Sequence, residues 1–382
     1  MVEASTWVEE APAVAIPTEA ARRLDWAMAG LGGWLVLGFY ADLWAHRHGI
    51  VDNTFITPWH GLLYSGAMSF LVVLGLLAVR RLFEGRSTLA ACLAYARAML
   101  RPPRAGGLPV RALVDAMPAG YRLSFLGSLV FTAAGLLDLV WHTAFGFEID
   151  VETLLSPPHL LLATAGVLMA SGPLRSIWYR ATPVEPGWLA QGPAVVSLAL
   201  VLCVFNAFTQ YANPITHVLA SAPAAPILTP TDAGMAVAFV RQGWGASEVL
   251  IHAALIAGFA LVGLRRRSLP EGALFLLVAG PSLAMIPLMD EWRFVPAAIV
   301  AGLVAEGLVR YVGYGATRRR DLVVAFVLPA QWFLLYFVTL RMTSGIDWSP
   351  TLVVGAIELA GVVGVLLNEV TRSGLGRPAE GL

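Results

Sequence analysis

Two short stretches hold most of the residues that could do chemistry. The first, DLWAHRHGIVDNTFITPWH, runs from Asp42 through His46, His48 and Asp52 to His60. The second, DLVWHTAFGFEIDVETLLSPPH, runs from Asp138 through His142 to His159. Each begins with Asp-x3-His, and in each a second His follows closely on proline: Pro58 in the first, Pro157 and Pro158 in the second. A four-residue step on a helix sets carboxylate and imidazole on one face, a turn apart. A proline ahead of the second His suits the first turn of a returning helix. Each stretch should therefore bring one Asp and two His to one level, an N/N/O set for a transition metal with positions left for water or substrate. The plainer reading is an Asp hydrogen-bonded to its own i+4 His with no metal. Recurrence of the pattern favours the ion and argues that the unit was duplicated, although the second linker is three residues longer.

Long apolar runs must position these residues. The chain is 58% hydrophobic and 13% charged, about half the charged content of an ordinary soluble domain. Runs of roughly 20 apolar residues, enough to cross a bilayer core, predict an all-α polytopic transmembrane helix bundle. Ten spans are expected, at 26–46, 58–79, 121–142, 158–178, 189–211, 245–264, 272–289, 293–312, 322–341 and 350–369. Arginine sorts by side: Arg22 and Arg23, the connection 80–120, Arg175 and Arg180, 265–267, 318–320, Arg372 and Arg377 share one side. Arg47, Arg241, Arg293 and Arg341 fall on the other. The positive-inside rule then puts both termini in the cytoplasm and the histidine-bearing hairpins on the extracytoplasmic side of the cell membrane.

The expected organisation is an N-terminal cytoplasmic segment (1–25), a four-span metal-binding half (26–180), a six-span supporting half (181–370) and a cytoplasmic tail (371–382). The acidic first 20 residues do not read as a cleaved signal peptide. Cys92 and Cys203, the only cysteines, lie on distant elements and support neither a disulfide framework nor a thiolate site. Nothing in the charge pattern suggests nucleic acid.

All seven histidines fall at span ends or in connections of one side. Glu248-x3-His252 begins the sixth span, and Asn206 and Gln210 stand a helical turn apart at the end of the fifth. With His48 and Asp52 these are candidates for groups that orient the metal ligands. Asp290 and Glu291 read as solvated charges at a turn, and Glu306, Gln331 and Glu358 as groups that pair between helices. The segment DAGMAVAFVRQGW, within the connection 212–244, reads either as a short helix lying in the interface, with His217 able to reach inward nearby, or as a simple solvated loop.

Over about residues 35–165 the motifs resemble the C subunit of the particulate methane and ammonia monooxygenases, the copper membrane monooxygenases. The resemblance rests on Asp42, His46 and Asp52 with Phe55, Thr57, Pro58 and His60, and on HTAFGFEIDVETLLSPPH from His142 to His159. It implies copper held by Asp42, His46 and His60, and a neighbouring copper site at Asp138, His142 and His159, with Asp138 standing where the family usually has Asn. It further implies dioxygen activation for attack on a small apolar substrate or ammonia, quinol as reductant and other membrane subunits as partners. Trp44, Trp59, Phe55, Trp141, Phe145 and Phe147 would help line an apolar pocket. The competing reading is a non-catalytic protein that binds copper or zinc, for assembly, delivery or structure. A transport path is disfavoured, because ionisable groups cluster at one face and no ladder of methionines continues inward. A haem or quinol protein would set facing histidines deeper within its spans.

Overall fold

A computed structural model describes residues 18–50, 57–99, 110–146, 151–180, 185–221, 232–266, 269–313 and 317–373. Among these residues the fold is helical, with a single bridge between Ser221 and Ile346 and no named strand. The helices are α1 (Thr18–Arg47), α2 (Pro58–Leu82), α3 (Thr88–Met99), α4 (Val110–Asp115), α5 (Arg122–Phe145), α6 (Glu152–Leu155), α7 (Pro157–Ala170) and α8 (Gly172–Trp178). There follow α9 (Trp188–Phe208), α10 (Pro214–His217), α11 (Asp232–Arg266), α12 (Ala273–Met289), α13 (Val295–Val312), α14 (Arg318–Thr343) and α15 (Pro350–Ser373).

Seven of these segments are long and apolar enough to cross a membrane: α2, α5, α9, α11, α13 with the turn before it, α14 and α15. The pair α7 and α8, bent by 42° at Ser171, makes an eighth if taken as one span. The two remaining predicted segments, 26–46 and 272–289, fall on α1 and on the 17-residue α12. Helix α12 is interrupted by Pro281 and Pro287, whose rings remove two backbone donors.

Three expectations are corrected by the structure. DAGMAVAFVRQGW is not a separate interfacial helix, because it runs without a break into the 35-residue α11. Helix α9 ends at Phe208, and Gln210 begins a separate 3-10 turn, so Asn206 and Gln210 do not share one helix. Glu358 is exposed on α15 rather than packed between helices. By contrast, Gln331 does pair between helices, donating to the Ala301 carbonyl at 3.2 Å.

The chain divides into two compact units. One comprises residues 1–39 and 52–184, the other 40–51 and 185–382. The first is built on Phe70, Leu74, Met117, Phe125, Phe131 and Met169. Small residues let its helices approach closely. A Cβ on Gly127 would lie 3.0 Å from the Ala165 carbonyl, and one on Gly135 would lie 2.7 Å from the Tyr64 ring. At one end the buried Asp25 accepts from Tyr121 at 2.6 Å and pairs with Arg180, so this carboxylate is not left alone out of water.

In the second unit a guanidinium clamp ties α11, α14 and α15 together. Arg265 reaches Asp321 at 3.2 Å, Thr371 at 2.7 Å and the Asn368 carbonyl at 3.0 Å. The buried Arg320 donates to Asp321 at 2.7 Å and to the Leu264 carbonyl at 3.2 Å. Beside this clamp α14 and α15 pass so closely that a Cβ at Gly364 would stand 1.8 Å from the Ala325 carbonyl oxygen. Gly364→Val should therefore cost at least the about 1–3 kcal/mol typical of overpacking. Gly355→Ala, with open space around its Cβ, should be tolerated. Thermal unfolding of the two purified variants in one detergent measures the contrast.

Candidate metal centre

The second hairpin lies whole within the first unit, and its geometry follows from its sequence. Asp138 and His142 are a turn apart on α5, and His142 Nε2 stands 3.4 Å from Asp138 Oδ1. Ser156 caps α7, Pro157 and Pro158 fill its first turn, and His159 is thereby carried back to the same place. Its Nε2 is also 3.4 Å from Asp138 Oδ1. One ligand atom from each residue lies within 4.8 Å of the others.

These separations are too long for hydrogen bonds, whose charge-assisted forms close to about 2.7–2.9 Å. Asp138 is 2% exposed, and its Oδ1 is buried without a hydrogen bond among the described residues. A carboxylate taken out of water with no donor is costly. The spacing is one that ligands around an ion can have. Nitrogen and oxygen bond first-row divalent ions at about 2.0–2.2 Å, and neighbours in a tetrahedral shell then stand about 3.4 Å apart.

Both imidazoles are also oriented for ligation. His142 Nδ1 is 3.2 Å from the Gly146 carbonyl, and His159 Nδ1 is 2.7 Å from Ser156 Oγ. The Gly146 carbonyl can only accept, so His142 donates from Nδ1 and keeps its lone pair on Nε2, the nitrogen that faces Asp138; Ser156 Oγ, able to donate or accept, holds the His159 ring in place. Gly146 reaches its position through a positive φ of 83°, a conformation that favours glycine, and its own N–H returns to the His142 carbonyl at 3.0 Å. Neither Gly146 nor Ser156 figured among the expected site residues. Ser-Pro-Pro-His as a helix start, and a glycine four residues after His142, are the signals that mark them.

The first hairpin carries the same residue types at the end of α1 and the start of α2. Asp42 is buried on α1, and His46 Nε2 is 3.8 Å from its Oδ2. Thr57 caps α2 and accepts the N–H of His60 at 3.1 Å. The boundary between the units runs through this hairpin. Asp42 and His46 fall in the second unit, and His60 falls in the first.

The expected orienting groups lie elsewhere. Asp52 is outside the described residues, as are Phe55 and Phe147. His48 binds the Trp44 carbonyl and Asp290 Oδ2, each at 2.7 Å, so Asp290 is paired rather than merely solvated. Glu291 likewise holds Arg293 at 2.7 Å. Glu248 bonds His217 at 2.7 Å, and His252 and Asn206 are buried in the second unit. Of the expected pocket aromatics, Phe145 is 72% exposed; its ring lies 4.5 Å from that of Trp141.

Acceptance by the Trp44 carbonyl, and then by Asp290, raises the His48 imidazole above its ordinary pKa. Asp290→Asn should lower it again, while a change at the distant Glu358 should not. A histidine-resolved NMR titration checks this. Compared with protein-family models, curated proteins and solved structures, the chain has no match.

Proposed function

We propose that this chain is an integral membrane copper-binding protein. The observation that carries the reading is the convergence of His142 Nε2 and His159 Nε2 on the buried Asp138 Oδ1 at 3.4 Å each. The donor set is two imidazole nitrogens and one carboxylate oxygen, with no thiolate. Among divalent first-row ions copper binds such sites most tightly, and zinc is the alternative occupant. Asp42, His46 and His60 repeat the residue types and spacing in sequence and are proposed as a second set of ligands.

The proposal extends to topology and catalysis. Ten spans with both termini cytoplasmic would put the hairpins on the extracytoplasmic side of the cell membrane, as the arginine distribution supports. The resemblance of residues 35–165 to the C subunit of copper membrane monooxygenases supports a role in oxidising a small apolar substrate or ammonia, with quinol as reductant and further membrane subunits as partners. Bound copper would supply dioxygen activation. The residues of this chain would hold the ion, fix the His142 tautomer through the Gly146 carbonyl, orient the His159 ring through Ser156, and leave coordination positions open. A non-catalytic role in copper assembly rests on the same ligand set.

Elemental analysis of tag-free protein, exposed to copper and then freed of loose metal, tests the site. About one to two copper ions per chain are expected from the two ligand sets. His142→Ala/His159→Ala should remove the copper of the second hairpin, and His46→Ala/His60→Ala that of the first. Ser156→Ala should weaken binding at the second by about 10–100-fold, as loss of a partner to a ligating histidine does. Copper-treated protein that holds no metal would end the proposal. Zinc in place of copper would end its oxidative part.

A further inference from the structure

Helix α15 is the least covered of the seven helices that could cross a membrane, with only 22% of its most apolar stretch buried. One face is occupied. Gly361 and Gly364 lie against Phe326 and Ala325 of α14, and the buried Asn368 accepts from Arg265 of α11. The opposite face presents Val354, Gly355, Glu358, Val362 and Leu366, all exposed. Glu358 is the ninth of the 23 residues from Pro350 to Arg372, three short of the middle. It makes no ion pair or hydrogen bond among the described residues.

That position is costly in a bilayer. Glu358 stands about 12 Å along the helix axis from Pro350, farther than a glutamate side chain reaches toward water at the helix end. An ionisable group at such depth usually faces protein rather than lipid. A second copy of this chain would not complete it. The sequence contains no lysine, and in all seven candidate spans the arginines lie within five residues of an end. His252, near the middle of α11, is buried. Two copies packed through this face about a twofold axis would set Glu358 against Glu358, like charge against like. A cation at this depth therefore has to come from a different polypeptide. Gly355 prepares the approach, because nothing lies within 4 Å of where its Cβ would be, and small residues let neighbouring helix backbones come close.

We propose that the exposed face of α15 docks a transmembrane helix of another polypeptide, one that carries an arginine or lysine at the depth of Glu358. The cation pairs with the Glu358 carboxylate through charge-assisted hydrogen bonds. Gly355 admits the partner's backbone, and Val362 and Leu366 pack against its apolar residues. With lipid as the only competitor, this one pair fixes the partner's depth and the face that it turns toward α15. The inference rests on α15 crossing the membrane and not on the copper reading.

The test uses the full chain in lipid vesicles, carrying Cys92→Ala, Cys203→Ala and Leu366→Cys, with a bimane dye on the introduced cysteine. Lipids brominated at mid-chain quench a dye that faces the bilayer interior, and a docked helix displaces them. The probe is a leucine-rich helix of about 21 residues with one central arginine. Its control has leucine at that place, and oriented circular dichroism confirms that both span the bilayer. The arginine helix should relieve the quenching at a mole fraction lower by on the order of tenfold than the leucine helix needs. Glu358→Gln, a change at an exposed position, should abolish that difference. Equal relief by the two helices, or an arginine preference that survives Glu358→Gln, would overturn the proposal. Relief on raising the density of the chain itself, with no peptide present, would assign the face to a second copy and overturn it as well. A dye that brominated lipids never quench would show that this face of α15 does not lie in the bilayer, and would overturn the proposal at its premise.

Discussion

Removing a carboxylate from water sets the main constraint on this molecule. In an apolar helix bundle each buried charge needs an opposite charge, a set of donors or an ion. The fold meets that demand in three ways. Asp25 is met by Tyr121 and Arg180. Asp321 is met by Arg265, Arg320 and Arg372. Asp138 differs in kind, because its neighbours are two imidazole nitrogens, each 3.4 Å from Oδ1. The first two carboxylates fasten helices together. The third is left in a geometry that protein donors do not complete.

That distinction separates structural from chemical use of the same residue type. Arginine brings several fixed donors and a permanent charge, so a carboxylate beside it is satisfied and inert. Histidine brings one nitrogen whose state depends on what holds the other. Beside Asp138 stand His142 and His159, each held through Nδ1, in place of an arginine.

Much of this was legible in the sequence where local rules act alone. Asp-x3-His on a helix, and proline ahead of His60 and His159, foretold the shared level of Asp138, His142 and His159, because helical periodicity and the capped first turn are set within a few residues. The apolar runs marked the seven helices that are long and apolar enough to cross a membrane. What could not be read depended on distant partners. Nothing local to Asp290 announces His48, and nothing local to Glu248 announces His217. The unbroken α11 was missed because its first turns follow a Pro- and Ala-rich connection and were read with it. The outward position of Glu358 was missed because a span pattern does not say which face of a helix is covered.

The glycine that closes α5 has a wider implication. Gly146 ends the helix with its N–H and steadies His142 with its carbonyl, while Ser156 starts α7 and holds His159 from within its own turn. Each imidazole is thus anchored by a neighbour four or fewer positions away, on its own side of the connection. The chain between those anchors is released from the task of setting ligand geometry. The corresponding connections of the two hairpins differ by three residues in length.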